Sequence, residues 1–304
     1  RPWRRPDPPN HRFALRPARR DIYPTGVLFF EPVRIRIASI SAAMSNIRDY
    51  YAARMDAIRE LMVVAARDGH EARMRRCYAL GARNVNAAMI AAAAGGHETL
   101  VRAGHDEWGA RDVDETMAAA AGGGHGALIR VCYEKWGARD VDLTMSAAAS
   151  GGHEALMYIC HDTWGARDVN AAMIAAAAGG HLALVILCYR WGARRVDQAM
   201  EAAAQEGHGD VIGLCYALGA RNVDEVMAAA AGGGHEALVC FIYDVWGARD
   251  VDDAMAAAAR HGHMAMVRII HDELGARDVN RAMAAAAAGD HLALMRLCYI
   301  EWKA

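Results

Sequence analysis

The sequence predicts an all-α protein, a solenoid of nine stacked helix-turn-helix units, and three observations carry that expectation. The tripeptide Gly-Ala-Arg recurs at Gly81, Gly109, Gly137, Gly165, Gly192, Gly219, Gly247 and Gly275, at spacings of 27 or 28 residues. A histidine column keeps step with it, from His70 and His97 through His125, His153, His181, His208, His235 and His263 to His291, and each Gly-Ala-Arg glycine is followed by its His after 16 residues. Between these marks, Ala- and Met-rich stretches alternate with Leu-, Val- and Cys-rich ones of helical length. Self-similarity at a fixed period marks a repeat architecture, in which a unit buries its apolar faces only against its neighbours.

Residues 1–43 stand apart from this pattern. They hold all seven prolines and nine Arg against three acids, which is +6 in a chain of total charge −2 and leaves −8 for the rest. They read as a basic Pro/Arg-rich tail, either unfolded or lying upstream of a protein start at Met44. A nucleic-acid-binding arm or a targeting peptide are the rival readings, and the prolines argue against the amphipathic helix of a mitochondrial signal. Residues 44–304 read as the solenoid, with an N-terminal cap at about 44–80.

Each unit spells out two helices. Five residues after each Gly stands Asn86, Asp114, Asp142, Asn170, Asp197, Asp224, Asp252 or Asn280. Such side-chain oxygens accept from free N–H groups of a first helical turn, so the column predicts N-caps. A Met column follows (Met89, Met117, Met145, Met173, Met200, Met227, Met255, Met283), embedded in Ala, the strongest helix former. The helix should stop at the Gly-rich turns, such as Gly95-Gly96, where Gly takes the left-handed conformation without penalty. The second helix, for example Leu156, Met157, Ile159 and Cys160, must be buried on more than one side. At a helix spacing of about 8–10 Å, nine pairs predict a rod roughly 80 Å long. The one-residue variation in period falls between each His and the following Gly, at the end of the second helix.

The stretch from Ala175 to Asp197, AAAAGGHLALVILCYRWGARRVD, and its copies over residues 55–304 resemble the ankyrin repeat. Small residues, Gly-His, an apolar helix, Gly-Ala and an Asp-Val-Asn-like turn follow one another as in that repeat's second half. The array is similar in particular to the shortened ankyrin-type arrays of large DNA viruses of protists. The resemblance implies a scaffold or adaptor for a protein partner, and a host protein if the source is viral. Two departures qualify it. An ordinary unit has about 33 residues and a Thr-Pro-Leu-His entry, whereas Ala87-Ala88-Met89-Ile90 or Glu115-Thr116-Met117-Ala118 stands in that place. The projecting hairpin that often carries recognition in the family should therefore be truncated to a turn.

The chemistry-bearing residue types follow the repeat and do not form constellations. Zinc ligands must nearly touch, while equivalent histidines lie a helix spacing apart, so the His column reads as a structural part of the interhelix turn. Cys132, Cys160, Cys188 and Cys215 alternate with Ile242 and Ile270 in one column, as a small buried filler would. The Arg of each Gly-Ala-Arg reads as a ladder neutralised by the following Asp112, Asp140, Asp168, Asp250 and Asp278, with help from the nearby helix C-terminus. The Trp column reads as interlayer packing. Neither a phosphate loop nor a Ser/His/Asp set stands outside the columns. The sequence thus predicts no enzyme, cofactor or metal, no membrane span, and a reducing cytoplasmic or nuclear location for its free thiols.

Binding residues of a repeat array are expected where columns vary. Glu115, Thr116, Leu143, Thr144, Gln198, Glu225, Val226, Asp253 and Arg281, with Ser146 and Glu201 one turn on, predict a protein-binding line along the first helices. The alternatives are a self-associating assembly protein and, less favoured, a nucleic-acid binder using the Arg row and the tail. At the ends, Arg73 and Arg76 replace the Leu and Val of later units and predict a polar cap, whereas Met295 and Cys298 predict an exposed apolar C-terminal face.

Overall fold

In the computed structural model the backbone of residues 31–303 and the side chains of residues 48–303 are described. Eighteen α-helices, α1 to α18, and no strand occur among the described residues. The chain divides into two compact units, residues 1–53 and Arg54–Ala304. Helix α1 spans Glu31–Arg67 and so runs continuously through the tail boundary read at residue 43. The rest of the tail lies outside the described residues.

The second unit is a helical repeat stack. Its odd-numbered helices pack in sequence: α3 (Val85–Ala94) on α5 (Val113–Gly122), then α7 (Val141–Ser150), α9 (Val169–Ala178), α11 (Val196–Glu206), α13 (Val223–Gly233), α15 (Val251–Arg260) and α17 (Val279–Ala288). Each also packs on the even-numbered helix that follows it, as α9 does on α10 (Leu182–Arg190) and α17 on α18 (Leu292–Ile300). Alanine makes this possible, because its small side chain lets helix backbones approach closely. Ala88, Ala120, Ala148, Ala176, Ala203 and Ala230 are all fully buried, and one Met per first helix, from Met89 to Met255, fills the space between layers with no exposed surface.

In three of the five units with the longer spacing the extra residue is absorbed by a π turn. Where His and the next Gly are 11 apart, the alanine after the Gly bonds back five residues, as Ala193 N–H does to Cys188 O. Where they are 12 apart it bonds back six, as Ala110 N–H to Gly104 O and Ala166 N–H to Cys160 O. Thus α4 (Glu98–Arg102), α8 (Glu154–Tyr158) and α14 (Glu236–Phe241) continue as π-helical turns over Ala103–Glu107, Ile159–Thr163 and Ile242–Trp246. A π turn is a common way for a helix to hold one extra residue.

The glycine pairs between helices serve two distinct needs. Gly124 takes φ +79°, which favours glycine, and an added Cβ would stand 2.6 Å from the His153 ring of the next layer. Gly123 is right-handed, but a Cβ there would meet Ala94 O of the preceding layer at 2.5 Å. Only the second glycine is the left-handed stop the sequence predicts. The first is required by the approach of neighbouring turns.

Candidate functional site

The repeated polar residues bond to the neighbouring layer. The Asn/Asp column expected to cap its own helix instead occupies the second helical position and reaches into the following layer. Asp142 Oδ1 accepts from Arg167 N–H at 2.6 Å and Asp168 N–H at 2.8 Å, and Asp114, Asp224 and Asp252 each hold two backbone N–H groups in the same way. The N-cap position lies two residues earlier. There Asp140, Asp168, Asp250 and Asp278 accept from Leu143, Ala171, Asp253 and Arg281 N–H.

At the other end of the first helices each histidine reaches back one layer. His97, His125, His153, His181, His208, His235 and His263 place Nε2 2.8–3.1 Å from a backbone carbonyl of the preceding turn, Ser150 O for His181. A carbonyl only accepts, so Nε2 carries the proton and donates. Among the described residues no group of three or more His, Cys, Asp or Glu is placed to hold a metal ion.

The arginine row is engaged differently from the expected Asp ladder. Arg139 Nη1 donates to Tyr133 O at 2.7 Å, at the end of its own second helix, and to Ala138 O at 2.6 Å in the turn that follows. Its guanidinium lies over the Tyr133 ring at 4.7 Å, and Arg83, Arg194, Arg221 and Arg249 stack on tyrosine likewise. Of the Asp residues that follow, Asp140, Asp168, Asp250 and Asp278 are occupied as N-caps. Among the described residues each Trp stacks on the Tyr or His of the layer before it, as Trp164 on Tyr133 at 4.3 Å and Trp191 on His161 at 4.2 Å. Cys132, Cys160 and Cys188 are buried, and burial pushes their thiols up to about 12, so they are uncharged and unreactive near neutrality.

The variable positions separate into two groups. Glu115, Leu143, Gln198, Glu225 and Arg281 are exposed, Asp253 is half-buried, and all six occupy one column along the first helices. Arg281 and Asp253 form an ion pair between α17 and α15. Ser146 and Glu201 are half-buried one turn on. Glu201 accepts from Asn222 Nδ2, and its carboxyl is held above the usual range by burial, then by the charges of Glu225 and Asp197. Thr116, Thr144 and Val226 are fully buried, which removes them from any binding line. They sit one residue, about 100° of helix turn, beyond the exposed column. Thr116 and Thr144 turn their hydroxyls to Asp112 O and Asp140 O.

At the C-terminal layer Cys298 is fully buried and Met295 half-buried, so the expected apolar face is not theirs. Cys298 points with Leu294 and Leu297 into the core shared with α17. The large exposed residues of α18 are Leu292, Tyr299 and Ile300, each about 70% exposed. At the first layer Arg73 and Arg76 on α2 (Glu71–Ala79) are exposed, while Leu100, Leu128, Leu184 and Leu187 in the same columns are buried. No helix of the described residues is long and apolar enough to cross a membrane. No protein-family model matches the chain, and no curated protein matches it.

Proposed function

We propose that the chain is a non-catalytic scaffold of nine shortened ankyrin-like repeats that holds a protein partner along its first helices. One observation carries this reading. The residues that recur in every unit are bonded to neighbouring layers or buried, and of the two adjoining columns that change along the first helices one is left exposed. Glu115, Leu143, Gln198, Glu225 and Arg281 present acidic, apolar, amide, acidic and basic side chains in turn on an otherwise Ala-rich surface. A partner is then recognised by the order of these side chains along the stack. The Arg row is occupied by helix-end carbonyls and tyrosine rings, which weighs against nucleic acid as the partner.

Affinity purification with the tagged chain, repeated with Glu115→Lys, Glu225→Lys and Arg281→Glu together, tests the reading. Loss of a partner captured by the parent is expected, and capture that survives all three reversals excludes this face. A second reading, self-association, is favoured by the exposed Leu292, Tyr299 and Ile300. Light scattering over a range of concentrations, with Leu292→Glu and Ile300→Glu as the dispersing variant, decides it.

A further inference from the structure

Basic residues are almost absent from the first helices. The eight odd-numbered helices from α3 to α17 carry two, Arg260 at the end of α15 and Arg281 in the first turn of α17, and every other charged residue on them is acidic. The column of Arg260 reads Ala94, Gly122, Ser150, Ala178, Gln205 and Gly232 before it and Ala288 after it. His261 breaks its column too, an exception that only Glu206 shares from α3 to α17. At the equivalent Gly95, Gly123, Gly151, Gly179 and Gly289, an added Cβ would meet a carbonyl of the preceding layer at 2.1–2.5 Å. The turn gives way at His261, whose N–H nitrogen stands 3.4 Å from Ala257 O, where those five glycines keep the same bond at 3.0–3.2 Å. Packing within the stack therefore does not account for this side chain.

Arg260, His261 and Arg281 line one cavity of 460 Å³, and Asp253 completes its charged lining. Ala228 of α13, Ala257 of α15 and Ala285 of α17 lie beneath. That volume lies within the range of sites that bury a ligand group. Arg281 is committed to its ion pair with Asp253. Arg260 belongs to no ion pair among the described residues, so the lining holds one uncompensated positive charge. His261 donates its Nδ1–H to Ala257 O at 3.0 Å, which leaves Nε2 without a hydrogen-bond partner among the described residues. Asp253 and Arg260 stand seven residues apart on α15, which is two turns and about 10 Å along one face. An extended segment covers that length with about three residues, and the alanines let its backbone come close.

We propose that this cavity seats a single aspartate or glutamate side chain of a partner protein segment whose neighbouring residues are small. The inference rests on the reading of the first helices as the binding side, and it names what one part of that side takes. The planar donors of the Arg260 guanidinium match a carboxylate. Small neighbours let the segment lie on the alanines, where the carboxylate meets Arg260 away from bulk water. A polyanion such as nucleic acid is disfavoured, because the charges of α11 and α13 beside the cavity are all acidic, with Glu225 exposed one layer before Asp253.

Selection of displayed random heptapeptides on the full chain, with counter-selection on Arg260→Glu, tests the proposal. Recovered peptides should share one aspartate or glutamate with glycine, alanine or serine beside it. In fluorescence anisotropy such a peptide should bind at least about tenfold more weakly to Arg260→Ala, and to Ala284→Leu, which fills the cavity from an exposed position of α17. Replacing the acid of the peptide by its amide should weaken binding to the parent by a similar factor. Circular dichroism checks that each variant folds, and if Ala284→Leu does not, Arg260→Ala decides the matter. A selection in which no peptide depends on Arg260 overturns the proposal, as does a dependent peptide whose acid is dispensable. RNA binding that Arg260→Glu abolishes, in a chain that selects no acidic peptide, would assign the cavity to nucleic acid and overturn it as well. A cellular partner released by Glu115→Lys with Glu225→Lys and retained by Arg260→Glu would overturn this inference and leave the first-helix line standing. Retention by both sets would remove both.

Discussion

Asp142 and His181 hold the same pair of layers at opposite ends of the first helices. The first gathers the N–H groups of Arg167 and Asp168, and the second donates to Ser150 O. Removing either leaves backbone groups of a close-packed turn without a partner, which costs about 1–3 kcal/mol. Asp142→Ala and His181→Ala should each lower stability by that amount in urea unfolding. Asp142→Asn should cost less, since Asn86 and Asn170 make the equivalent bond in their own layers. A second prediction concerns the buried thiols. An acid whose folded pKa is raised contributes stability below its unfolded pKa and loses it as pH rises toward the folded value. Cys132, Cys160 and Cys188 rise from 9.0 to about 12, so the urea midpoint should fall steadily above about pH 9. Replacing the three by valine should flatten that fall, and an unchanged slope would assign it to other groups.

Much of the single helix pair was legible in the sequence, because its signals are local. The His and Gly-Ala-Arg columns mark where helices stop, and the Met and Ala columns mark what is buried. The partner of Asp142 was not legible. Its chemistry, an oxygen that accepts from free N–H groups, is the same whether those groups belong to its own helix or to residues 25 and 26 positions later. Thr116, Thr144 and Val226 were misplaced for a related reason, since variability is shared by neighbouring columns while exposure belongs to one of them. The π turns make the element tolerant of length. Deleting Thr163 should convert the bond from Ala166 N–H to Cys160 O into the five-residue form already present at Ala193. The variant should unfold cooperatively, within about 1 kcal/mol of the parent in urea. Gly213→Ala should raise stability by about 0.5–1 kcal/mol in the same assay, because the added methyl meets no neighbour.

In the unit Arg54–Ala304, stability comes from layer-to-layer contacts, so a lesson from one layer holds for the others. The last described layer shows the limit of reading columns alone. Cys298 keeps the burial of its column, because that column faces the first helix of its own pair and not the next layer. Cys298→Glu should therefore destabilise the stack by more than about 3 kcal/mol. Leu292→Glu, on open surface, should leave the thermal midpoint nearly unchanged. Equal losses from the two would place both residues in the core.

The bonds at the ends of the first helices all run one way. Asp142, Asp114 and Asp224 accept from the layer that follows, and His153, His181 and His263 donate to the layer that precedes. In these bonds the leading side of a layer supplies the acceptors and the trailing side of the next supplies the donors. Like the two sides of a toothed fastener, any such side fits any later one in the same orientation and none in reverse. A copied unit inserted whole, such as residues 141–168 repeated in tandem, would meet complementary sides at both seams. Growth and shortening by whole units are then built into the bonding pattern, and the order of the exposed side chains can be rewritten without redesigning the interfaces beneath them.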